Sequence, residues 1–171
     1  MLADVWTWFH FWLYLHIVAV IVAFGPTFVY PLLGRYAAKH PEHGLAVAHI
    51  SELIERRLII PVAVVVPFLG LALIYTGHFD LWKSEWLVIS ISLYVIAFFF
   101  AVLVQARNGA RLVKIASSMP PGPPPPGATG PPPEMAAVIK KLQLGLMFLT
   151  SLILVIALLM VWRPGSCQGI C

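Results

Sequence analysis

Four apolar runs free of Asp, Glu, Lys and Arg constrain this 171-residue chain more than any other feature: Phe9 to Leu33, Leu58 to Tyr75, Trp86 to Val104 and Leu144 to Trp162. The hydrocarbon core of a bilayer is about 30 Å thick, and a helix rising 1.5 Å per residue crosses it in roughly 20 apolar residues. Each run meets that length. Unpaired backbone N–H and C=O groups are costly in lipid, so runs of this kind have to be helical. This applies even to the third, whose β-branched and aromatic residues would favour strand in water. The expected fold class is all-α: a polytopic membrane protein, a four-transmembrane-helix bundle that makes a single membrane domain of residues 1–171. Composition agrees, because 60% hydrophobic and 11% charged residues leave too little polar surface to coat a water-soluble globule. The first run is too long for the apolar core of a signal peptide and no basic segment precedes it, so the first helix is expected to stay in the mature protein.

The charges give direction. Of 11 Lys and Arg residues, Arg35, Lys39, Arg56 and Arg57 lie between spans one and two, and Arg107, Arg111, Lys114, Lys140 and Lys141 between spans three and four. Only Lys83 and Arg163 lie on the opposite side. The positive-inside rule then puts both basic connections in the cytosol and both termini outside, as expected for a multi-pass protein of a bacterial inner (plasma) membrane. Trp6, Trp8, Trp12, Trp82, Trp86 and Trp162 fall at or near the outer ends of spans, where tryptophan favours the interface. The basic residues form no stripe interleaved with aromatics, so nucleic acid is not an expected partner. The expected surroundings are the bilayer and a membrane-protein partner or a second copy of the chain.

The second cytosolic connection continues past Val104 as an amphipathic extension of helix three. It then enters a proline-rich linker over residues 119–133, where repeated prolines forbid helix and favour a solvated polyproline-II or disordered spacer. Glu134 suits the first turn of helix four, where its charge meets the helix dipole. Pro26, Pro61 and Pro67 lie within or beside spans, with Gly25-Pro26 the expected kink in helix one. No internal repeat is visible, which disfavours an inverted-repeat transporter.

His16 is the only imidazole well inside a span, eight residues below Trp8 or about 12 Å deep. An ionisable residue in the bilayer is by default a candidate functional residue, because leaving it unpaired in hydrocarbon is expensive. Ala19, Ala23 and Pro26 follow it at helical spacing and form a low-relief strip, fit for close helix packing or for the flat face of a macrocycle. Tyr94 lies eight residues below Trp86, at a matched depth, and is the candidate hydrogen-bond partner of His16. His10 reads as an interfacial residue and His78, after Gly77, as a turn residue. His40, His43 and His49 are spaced too loosely for a specific metal site. Glu52 and Glu55 beside Arg56 and Arg57 read as an interfacial charge cluster. No P-loop, dinucleotide fingerprint, nucleophile elbow or metalloprotease motif occurs.

The stretch Leu15-His16-Ile17-Val18-Ala19-Val20-Ile21-Val22-Ala23-Phe24-Gly25, followed by Leu53-Ile54-Glu55-Arg56-Arg57-Leu58-Ile59-Ile60-Pro61 and Gly70, resembles a family of predicted integral membrane proteins of unknown function. More distantly it resembles the superfamily of the haem-containing protoporphyrinogen oxidase HemJ and the copper-resistance protein CopD, mainly over the first 75 residues. That resemblance implies a haem b ligand at the first-helix histidine, here His16, and an arginine at or near span two, here Arg56 or Arg57. With Tyr94 these form the candidate cofactor site, and His16 is its metal ligand. Three readings stay open: a haem-binding protein of redox or haem metabolism, a copper-handling protein using Cys167, Cys171 and His78 on the outer face, and a non-catalytic accessory or assembly subunit.

Overall fold

The computed structural model describes residues 2–81, 83–119 and 130–164, with side chains from Trp8 onward. Four long helical rods run through it: Trp8–Lys39, Pro41–Thr76, Glu85–Ser117 and Pro133–Trp162, each long and apolar enough to cross a membrane. Among the described residues there is no strand. All four expected spans are present, but the rods of 30 to 36 residues outrun them. At 1.5 Å per residue they reach about 45–54 Å against a core of about 30 Å.

The rods are not plain α-helices. The first consists of α1 (Leu2–Phe24), a 3₁₀ turn at Gly25–Phe28 and α2 (Tyr30–Lys39), so the kink expected at Gly25-Pro26 is a full break in the α ladder. A second 3₁₀ turn, Pro41–His43, leads into α3 (Gly44–Ile54), a π turn at Glu55–Ile59 and α4 (Ile60–Thr76). The π turn has a local cause. Pro61 has no N–H and its ring would crowd the carbonyl four residues back. One extra residue in the preceding turn, with the Ile60 N–H bonded to the Glu55 carbonyl, relieves that conflict. The third rod is α5 (Glu85–Phe100), a π turn at Ala101–Gln105 and α6 (Ala106–Ser117), which is the expected amphipathic extension. The fourth is α7 (Pro133–Trp162); Pro133 occupies its first turn, where a missing N–H costs nothing. Most of the expected proline-rich linker, residues 120–129, lies outside the described residues, as do Trp82, Cys167 and Cys171.

Packing follows membrane logic. The buried positions are mostly small, among them Ala23, Ala63, Ala97, Ala116, Gly145 and Ser90, while large apolar side chains such as Met147 and Val161 point outward. Small residues let helix backbones approach, and in lipid that approach rather than oil-in-water burial holds helices together. The closest pairings are α1 with α4 and α5 with α7 inside the span, and α3 with α6 and α6 with α7 at the end carrying the basic residues. Arg111 on α6 reaches Glu134 in the first turn of α7 at 2.9 Å.

At the opposite end an aromatic plug joins the rods. Phe79 meets Phe9 and Trp86 at ring separations of 6.3 and 6.1 Å, and the Arg163 guanidinium lies 5.6 Å from both the Phe79 and Trp86 rings. Trp86 is therefore a packed residue, only 5% exposed, and not the interfacial anchor its position suggests.

Candidate functional site

His16 lies in the α1–α4 seam. A Cβ placed at Gly70 would stand 3.6 Å from its Cε1 and 4.0 Å from its Nδ1, in ordinary van der Waals contact, so the imidazole packs directly against the glycine face of α4. The ring lies beside the Val66 backbone, and its Nδ1 is buried with no hydrogen-bond partner among the described residues. A buried polar atom without a partner is uncommon in native structures, and within a span it is costlier still.

Tyr94 does not meet it, contrary to the matched-depth expectation. Its hydroxyl donates instead to the Ala63 carbonyl on α4. Pro67 explains the choice: it lies inside α4 and has no N–H to give the carbonyl four residues back, which is that of Ala63. The Tyr94 ring also touches Phe24, the last residue of α1, at 6.5 Å between centroids. Phe24 is eight residues beyond His16, about 12 Å along the helix. Equal counts from two tryptophans therefore give no contact, because the hydroxyl reaches deeper along the bundle than the imidazole.

The two arginines are also kept apart from His16. Arg57 precedes Val66 by nine residues on the same rod, about 14 Å, and is exposed. Arg56 pairs with Glu52 at 3.1 Å, so the expected charge cluster forms, but in the middle of the Pro41–Thr76 rod and not at a helix start. With Arg107, Arg56 lines an open groove of about 380 Å³ whose apolar walls include Ile60, Val102 and Ala106. Glu55 departs from the expected cluster: its Oε2 turns toward α6, 3.3 Å from where a Cβ on Gly109 would sit.

Two polar features escaped the sequence reading. Gln105, in the second π turn, is buried and donates from Nε2 to the Leu142 carbonyl of α7 at 2.9 Å. Its Oε1 has no partner among the described residues, and a Cβ on Gly145 would overlap it. The second feature is at the corner between α2 and α3, where the Pro41–His43 turn brings one ligand atom each of His40, Glu42 and His43 within 4.8 Å of one another. The loose spacing expected of these histidines is thus closed by the turn, whereas His49 stands apart on α3. His78 is a turn residue as expected, with φ of 52°, and His10 lies edge-on to Phe9.

A family model described as a predicted integral membrane protein, DUF2269, matches residues 11–164. The chain belongs to this family. The DUF2269 match spans all four rods, so His16, Arg56, Arg57, Tyr94 and the His40–His43 turn all lie inside it. No curated protein and no solved structure matches the chain. Membership of DUF2269 accords with the four rods and makes the protein an integral, multi-pass membrane protein that sits in a lipid bilayer.

Proposed function

We propose that this protein carries a b-type haem within the bilayer, ligated by His16, and serves a membrane redox or haem-metabolic role. One observation carries the reading: the buried, partnerless Nδ1 of His16, whose ring lies against Gly70 on α4. A methyl group at position 70 would only touch the ring, whereas a branched side chain such as leucine would crowd it. The fit rests on this donor alone; Arg56, Arg57 and Tyr94 are not gathered around it. Haem, when bound, supplies one-electron chemistry. The chain's own contribution is to seat the imidazole in the α1–α4 seam against Gly70 and to leave one buried ring nitrogen available. The orientation that goes with this reading has both termini outside a bacterial plasma membrane and the basic end in the cytosol, following the charge asymmetry.

The test is an optical spectrum of the protein purified in mild detergent from haem-replete cells. A Soret band is expected, lost in His16→Ala and in Gly70→Leu while both variants still insert in the membrane. A colourless wild type that stays colourless after reconstitution with haem would overturn the proposal and leave the copper-handling and accessory-subunit readings in its place.

A further inference from the structure

The corner joining α2 to α3 holds a second candidate centre, separate from the α1–α4 seam and independent of what His16 binds. Its residues come from one short stretch, His40-Pro41-Glu42-His43. Pro41 enters the first turn of a 3₁₀ segment that folds the stretch back on itself, so the His43 N–H bonds the His40 carbonyl at 2.9 Å. Backbone geometry thus gathers two imidazoles and one carboxylate on the same side before any ligand arrives. One ligand atom from each lies within 4.8 Å of the others.

One edge of the trio already has the length a small cation asks for. His40 Nδ1 and Glu42 Oε1 are 3.3 Å apart. Ligands about 2.1 Å from a tetrahedral ion stand about 3.4 Å from one another, so this edge of the coordination figure is already at length. His43 is oriented by a neighbour outside the trio, with the Tyr36 hydroxyl 2.7 Å from its Nδ1 and the two rings stacked at 5.6 Å between centroids. In the tautomer with the proton on Nδ1, that nitrogen donates to the phenol oxygen and the lone pair of Nε2 is left for an ion. Metal-bound histidines characteristically use their second nitrogen in this way. Tyr36 also lies against His40 at 4.7 Å, so one aromatic ring from the last turns of α2 steadies both imidazoles. The His40 and Glu42 side chains are about half exposed, so an ion has an open approach and water can complete the coordination shell.

We propose that His40, Glu42 and His43 form a binding site for a divalent first-row transition cation of the zinc type, with Tyr36 as the residue that positions His43. Two neutral imidazoles and a carboxylate suit a borderline ion. Hard Mg²⁺ or Ca²⁺ would want more oxygen ligands, and Cu(I) would want sulfur.

The test uses the full chain in mild detergent, stripped with chelator and with Cys167 and Cys171 alkylated so that thiolates cannot compete. Calorimetric titration with Zn²⁺ alone is expected to give one saturable equivalent per chain, and Co²⁺ titration to give the visible absorption of a low-symmetry site with nitrogen and oxygen ligands. His40→Ala and His43→Ala should each weaken Zn²⁺ at least tenfold, and Glu42→Gln should weaken it without changing the chromatographic profile. Tyr36→Phe should weaken it roughly 10-fold, the lower end of what loss of an outer partner costs. His49→Ala should leave the titration unchanged. Absence of saturable binding, a titration unaltered in the His40→Ala, His43→Ala double variant, or an equal loss in His49→Ala would each overturn the proposal.

Discussion

A proline inside a membrane helix removes one donor and leaves one acceptor facing hydrocarbon, and at Pro67 that acceptor is the carbonyl of Ala63. Tyr94 answers it from α5. Tyr94→Phe is therefore expected to destabilise the bundle by about 0.6–2 kcal/mol, the range of interhelical hydrogen bonds in membranes. In a Pro67→Ala background the restored N–H serves Ala63, and the same Tyr94→Phe change should cost clearly less. Unfolding of the four members of this cycle in mixed micelles measures the coupling, and equal costs in both backgrounds would show that Tyr94 does not serve the proline. The bond was legible in part. Pro67 and Tyr94 were both visible, and counting four residues back from the proline would have found Ala63. Depth below a tryptophan gave only one coordinate, and it could not say how far along the bundle a tyrosine hydroxyl reaches.

At the scale of elements, two π turns carry the polar detail of the interior, and neither was foreseen. An added residue in a helix leaves no compositional mark unless a proline such as Pro61 forces it, and Gln105 looked like the first polar residue beyond a span. Its burial against Gly145 follows from the rod continuing straight past the expected boundary into α6. Gly145→Ala sets two effects against each other. Helix propensity favours alanine by about 1 kcal/mol, whereas overlap with Gln105 costs about 1–3 kcal/mol. A net loss of about 1 kcal/mol is expected, and it should shrink in a Gln105→Ala background, where only the Phe100 ring 3.3 Å away still has to give; a thermal-melt comparison of the two backgrounds measures the difference. The corner at Pro41 went unread for a related reason. Histidines three apart are distant in an extended loop, and only the 3₁₀ turn makes them neighbours.

For the whole molecule, the number and identity of the spans were the most legible features, because an apolar run of this length has one solution in lipid. The cytosolic ends of rods three and four were legible as well, in the amphipathic stretch past Val104 and in Glu134. The helices α2 and α3 were not, since beyond the headgroups a helix continues on local propensity and on contacts such as α3 with α6 that no hydropathy window sees. Orientation can be tested directly. A membrane-impermeant maleimide should modify Cys167 in intact cells, while a cysteine introduced as Ala128→Cys, in the proline-rich connection, should react only after permeabilisation. The reverse pattern would invert the assignment.

The link between Pro67 and Tyr94 also bears on how this sequence can change over generations. Losing the tyrosine first strands a carbonyl in hydrocarbon. Losing the proline first strands nothing, because the helix repairs itself and the hydroxyl can rotate away or share the same acceptor. The lineage thus has a one-way order: the proline must be given up before the tyrosine becomes free to drift, and gained only after the tyrosine is in place. Among descendants of a common ancestor, chains with Pro67 and no hydroxyl at position 94 should be the rarest of the four combinations.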